Sequence, residues 1–155
     1  MIIDKKTGDI IFSEGQVIKA GMTIDEIKAS RVMEFISDGQ EEKMDHAFYY
    51  LQLVVPNAYG HKVFIALHMY DGIVSSVSMT LGDYYDFYDK GSFNAEEYKR
   101  LVTLQRDFLS KVLQEYAVPD ETHYDWGHIQ MRVDYRDMEE LEIIIDYYLE
   151  HLYGE

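Results

Sequence analysis

His61-Lys62-Val63-Phe64-Ile65-Ala66-Leu67-His68-Met69-Tyr70-Asp71-Gly72-Ile73-Val74-Ser75-Ser76-Val77-Ser78-Met79-Thr80-Leu81 is the stretch on which the fold turns. Two runs rich in apolar and β-branched residues flank Asp71-Gly72, and the first follows a second break at Pro56-Asn57-Ala58-Tyr59-Gly60. The pattern over Ala47 to Leu81 predicts a three-strand antiparallel meander. A two-residue Asp71-Gly72 turn would set Leu67 against Ser76 and Ile65 against Ser78, mixing an apolar row with a polar one. A three-residue loop, Tyr70-Asp71-Gly72 with Gly72 left-handed in a bulge, instead pairs Val63 with Met79, Ile65 with Val77 and Met69 with Ile73, and is the register expected. Phe64, Ala66, His68, Ser76, Ser78 and Thr80 then share the other, more polar face, as in a sheet covered on one side.

Downstream, Asn94 and Glu97 carry capping-box spacing. Tyr98, Leu101, Leu104, Phe108, Leu109, Val112, Leu113 and Tyr116 recur every three or four residues up to Pro119, which predicts a long helix across the apolar face of the sheet. The tail offers a last hairpin. His128 to Tyr135 alternates at Ile129, Met131 and Val133, Arg136 to Glu140 is a polar break, and Glu142 to Tyr148 follows. Leu141 to Leu152 also suits a helix, although Ile143-Ile144-Ile145 favours a strand. Upstream, Thr23 and Glu26 have cap spacing before Ile24, Ile27, Phe35 and Ile36, so a first helix is expected from about Thr23 to Ile36. Ser37 to Asp45 reads as a loop. Ile2-Ile3 and Ile10-Ile11-Phe12, separated by Lys6-Thr7-Gly8-Asp9, read as an opening hairpin.

These elements predict an α+β fold: an antiparallel sheet, built from a meander and terminal hairpins, with about two helices packed on one face. The chain has 155 residues, 47% hydrophobic, which suits a single domain over 1–155 with a real core. It has no cysteine, so disulfides, thiolate zinc sites and cysteine nucleophiles are excluded. Lys5 and Lys6 interrupt the amino terminus too early for a signal peptide, and no run approaches the roughly 20 apolar residues of a membrane span. A cytoplasmic protein without membrane contact is expected. The formal charge of −15, from 29 acidic and 14 basic residues, makes nucleic acid a poor direct ligand and a basic protein a good one.

The sequence contains no phosphate-binding glycine loop, dinucleotide fingerprint, zincin helix or nucleophile elbow. Asp83, Asp86 and Asp89 are spaced three apart, but they lack the alternate ligands, glycine and terminal glutamate of a calcium loop. No metal or other cofactor is expected. His123 and His128 flank Asp125 and Trp126, an arrangement open to acid–base chemistry but joined to no nucleophile. The most informative segment is Gly82-Asp83-Tyr84-Tyr85-Asp86-Phe87-Tyr88-Asp89-Lys90-Gly91, read as a loop between a strand and a helix. Tyrosine supplies rigid contact area with a polar tip, and carboxylates set the sign of a partner. Asp83, Tyr84, Tyr85, Asp86, Tyr88 and Asp89 are therefore the expected partner-binding residues, with no catalytic residue assigned. The bland alternative has Tyr85, Phe87 and Phe93 plugging one end of the core beside solvated carboxylates.

Trp126-Gly127-His128-Ile129, followed by Asp134-Tyr135-Arg136 and Glu142-Ile143-Ile144-Ile145-Asp146-Tyr147, resembles the tail of small bacterial immunity proteins of polymorphic-toxin and contact-dependent growth inhibition systems. Gly15 to Thr23, with Gly21-Met22-Thr23 before a helix, is similar to openings in such families. The resemblance implies a stoichiometric inhibitor that covers a toxin domain, such as a nuclease, and it transfers no site residue. An acidic adaptor or structural protein and an unrecognised metal-dependent enzyme remain the alternatives.

Overall fold

The computed structural model describes residues 1–37, 50–91 and 94–153. The predicted loop after Ser37, the start of the meander at Ala47 to Tyr49, and Phe93 lie outside the described residues. The meander forms as β4 (Tyr50–Ala58), β5 (His61–Tyr70) and β6 (Ile73–Leu81). Its second turn corrects the expected loop. Asp71 and Gly72 both adopt positive φ, 54° and 77°, and close a two-residue hairpin with Tyr70 opposite Ile73. Met69 then faces Val74 and His68 faces Ser76, which leaves Ser75 as an extra residue in a bulge. The bulge flips the parity of everything downstream, so Leu67 meets Val77 and Ile65 meets Met79. Apolar still pairs with apolar, as the sequence demands, but the strand supplies the offset and the turn does not. Phe64, Ala66, His68, Ser76, Ser78 and Thr80 share the other face, as expected, but in a register two residues from the expected one, with Phe64 opposite Thr80 and Val63 opposite Leu81.

The opening hairpin is β1 (Ile2–Ile3) on β2 (Ile10–Ser13), extended by an unpredicted third strand, β3 (Gln16–Ile18). The first helix is shorter than expected. Thr23 caps α1 (Ile24–Lys28), but Ser30 then donates to the Ile27 carbonyl at 2.8 Å and caps a separate 3₁₀ turn over Arg31–Phe35. Gly82 to Gly91 is also corrected: it forms α2 (Gly82–Asp89), a helix and not a loop. Asn94 caps α3 (Ala95–Leu113) by accepting from the Glu96 and Glu97 amides. Gln114 turns left-handed there, and Glu115 bonds back to the Ser110 carbonyl, so the helix stops before Tyr116, which is fully exposed.

The tail gives an unpredicted short strand β7 (Glu121–His123), then β8 (Gly127–Val133), β9 (Leu141–Tyr147) and α4 (Leu149–Tyr153), so the last segment is strand first and helix after. The larger sheet runs β4-β5-β6-β9-β8-β7, antiparallel throughout. Its core face carries Leu53, Ile65, Val77, Ile145 and Ile129, in one buried cluster with Ile3, Ile10 and Ile18 of the small sheet and Leu101, Phe108 and Val112 of α3. Trp126 ties the two sheets. Its indole donates to the Lys5 carbonyl at 2.9 Å, and its ring fills the space that a Cβ on Gly8 would occupy, 2.6 Å away. Among the described residues no helix is long and apolar enough to cross a membrane.

Candidate functional site

The chain leaves β6 directly into α2 at the end of the sheet. Tyr84 and Phe87, three residues apart, face the core, while Tyr85 turns to the opposite sheet face and packs edge-on against Phe64 at 4.9 Å. Tyr84 is only 5% exposed, and its hydroxyl donates to the Met138 carbonyl at 3.0 Å. Burial, reinforced by the neighbouring Tyr98, raises the Tyr84 hydroxyl well above the ordinary tyrosine range, so it stays a neutral donor.

Residues 134–140, between β8 and β9, are anchored at several points. The Tyr98 hydroxyl, on α3, accepts from the Asp134 amide at 2.7 Å and donates to the Glu140 carbonyl. Asp134 closes the loop on itself by accepting from the Asp137 and Glu139 amides, and Met138 takes a positive φ of 56° between them. The consequence is a fixed cleft between helix and loop, about 480 Å³ in volume. Tyr84, Tyr85 and Tyr88 form one wall, Asp134, Glu139 and Glu140 the other, and Thr80, Leu141 and Glu142 the floor. Four acidic residues and three tyrosines thus line it, with no lysine or arginine in the lining. Burial first, then the adjacent Glu140 carboxylate, pushes Glu142 above the usual carboxylate range, while Arg132 opposes the shift. Arg132 reaches Glu140 at 3.5 Å.

The helix splits the six residues expected to bind a partner. Tyr84, Tyr85 and Tyr88 line this cleft, with Tyr85 41% and Tyr88 43% exposed. Asp83 and Asp86 line a second groove, towards the start of α3, together with Lys90 and Arg100. Asp83 also lies 3.2 Å from the His61 ring. Asp89 is exposed and lines neither cavity. The acidic residues that line the cleft with the tyrosines, Asp134, Glu139, Glu140 and Glu142, are about fifty residues further along the chain. The only sequence signal for them was the acidic character of the break before β9.

The His123 and His128 pair sits elsewhere, on the polar face of the sheet. The two residues are cross-strand partners, and a row of His68, Ser76, Asp146, His128 and His123 runs across five strands. His128 Nε2 lies 3.3 Å from Asp146, and His123 bonds the Tyr148 hydroxyl at 2.8 Å. Burial lowers the affinity of His68 for a proton, against the pull of Asp146. Among the described residues no three carboxylate or imidazole groups converge in a metal-holding arrangement.

The chain matches no family model, no curated protein and no solved structure. Electrostatically, the cleft is fitted to a cation. Its tyrosines supply aromatic surface, its acidic residues supply acceptors, and its supports are hydrogen bonds already formed in the free protein.

Proposed function

We propose that this protein acts in the cytoplasm as a stoichiometric binder of a basic protein partner, and that the partner is a toxin domain that it neutralises as an immunity protein. The observation that carries the binding reading is the anchored cleft, whose lining brings four acidic residues and three tyrosines together on a chain with net charge −15. Such a charge steers a basic partner toward encounter, and rigid tyrosines supply contact area at low entropic cost. A toxin that holds phosphate at its active site carries the matching positive patch. The resemblance of the tail supports the immunity role specifically.

The test is capture of the tagged protein from its native cells, washed at low and then at high salt, with mass spectrometry and hydrogen exchange on what is retained. One basic protein at unit stoichiometry, released by salt and protecting residues 84–88 and 134–142, is the expected result. Retention of no basic partner, or protection confined to the β7 side of the sheet, overturns the reading.

A further inference from the structure

Resting on that reading, we propose that the cleft between α2 and the 134–140 loop receives an arginine side chain of the basic partner. A guanidinium is planar, so it stacks on an aromatic face while its edge bonds carboxylates in a fork. The cleft offers both requirements at once. Tyr85 is braced by its edge contact with Phe64, and Tyr84 packs against Tyr88 at 6.0 Å between centroids, so the ring wall is set before any ligand arrives. Opposite, Glu140 and Glu142 oppose each other's ionisation even with Arg132 3.5 Å from Glu140, and a further cation shared between them would relieve that repulsion. Lysine fits less well, because a compact and strongly hydrated ammonium neither stacks nor forks.

Two further features bear on the choice of site and on the path of the ligand. The other groove beside α2 is acidic too, but Lys90 and Arg100 in its lining offset Asp83, Asp86 and Glu97. The Glu142 cleft has no lysine or arginine in its lining, and Arg132 reaches only Glu140, from outside it, at 3.5 Å. Past Tyr85 and Glu142, a smaller opening continues over Phe64, Ala66 and Ser78 onto the polar sheet face, giving the flanking residues of a basic segment somewhere to run.

The test is an NMR titration of the full chain with the peptide acetyl-Gly-Arg-Gly-Arg-Gly-amide, alongside its lysine and citrulline counterparts. Saturable amide shifts centred on Thr80, Tyr85, Leu141 and Glu142 are expected, weaker with lysine and lost with citrulline. Glu142→Gln, which keeps the shape and removes the charge, should weaken arginine-peptide binding about tenfold, whereas Asp86→Asn in the other groove should leave it unchanged. Shifts scattered over the acidic surface, equal binding of citrulline, tighter binding of lysine, or equal losses in the two variants would each overturn the assignment. Should the captured partner hold Glu142→Gln as tightly as the native protein, the arginine site falls and the binding reading stands. Should no partner be captured while the arginine peptide still seats in the cleft, the arginine site stands and the toxin-binding reading falls.

Discussion

At the scale of single residues, Glu142 carries a cost that its position explains. Its folded-state pKa lies above the unfolded value near 4.5, because burial and Glu140 both disfavour the carboxylate. An acid with a raised folded pKa contributes stability that is fully present below its unfolded pKa and lost as pH rises through the folded value. At neutral pH the charged side chain therefore works against the fold. Glutamine mimics the protonated form, so Glu142→Gln is expected to raise the melting temperature at about pH 7, with the gain shrinking as pH falls through the raised folded value and gone below about 4.5. Thermal unfolding of both proteins at the two ends of that range measures it, and a gain of equal size at both would refute the electrostatic account. A destabilising carboxylate in a cleft is the pattern expected where binding supplies counter-charge beyond what Arg132 gives.

At the scale of elements, the cleft depends on how Tyr98 joins α3 to residues 134–140. Removing the Tyr98 hydroxyl leaves the Asp134 amide and the Glu140 carbonyl without their partner, while the ring remains packed in the core. Tyr98→Phe should cost about 1–3 kcal/mol, keep the fold, and speed amide exchange at Asp134 and its loop neighbours far more than in β5 or β6. Uniform acceleration across the sheet would show that the hydroxyl serves global stability and does not latch the loop. This coupling also marks the limit of what the sequence displays. The meander, the α3 cap at Asn94 and the last hairpin were legible because each is written in local periodicity and turn chemistry. The Ser75 bulge was half legible: matching apolar rows required an offset, but a bulge in the strand and a longer loop satisfy that requirement equally. The Gly82–Asp89 helix was obscured by its aspartates and tyrosines, which are weak helix formers, although Tyr84, Phe87 and Tyr88 carry helical spacing. Of the cleft, only the tyrosine wall was legible. Glu140 and Glu142 meet Tyr85 through long-range pairing of β9 with β6, and nothing in local sequence encodes such a meeting.

At the scale of the whole molecule, one quantity sets two responses to salt in opposite directions. The net charge of −15 means that the folded chain concentrates its own repulsion. Its ion pairs, such as Arg106 with Asp120 at 2.7 Å and Lys5 with Glu115 at 3.1 Å, have exposed side chains and are of the kind that contributes little. Raising ionic strength from about 0.01 M to about 0.1 M shortens the screening length from about 30 Å to about 10 Å, which reaches most of that repulsion. The melting temperature of the free protein should therefore rise with added sodium chloride. Over the same range the association rate with a basic partner should fall, by about tenfold or more, because steering acts through the field that salt removes. Differential scanning measurements on the free chain and stopped-flow association with the captured partner test the two halves separately. A melting temperature that fell with salt would mean that the local ion pairs outweigh the net charge. An association rate indifferent to salt would mean that the acidity belongs to solubility and that contacts in the cleft, not the long-range field, select the partner.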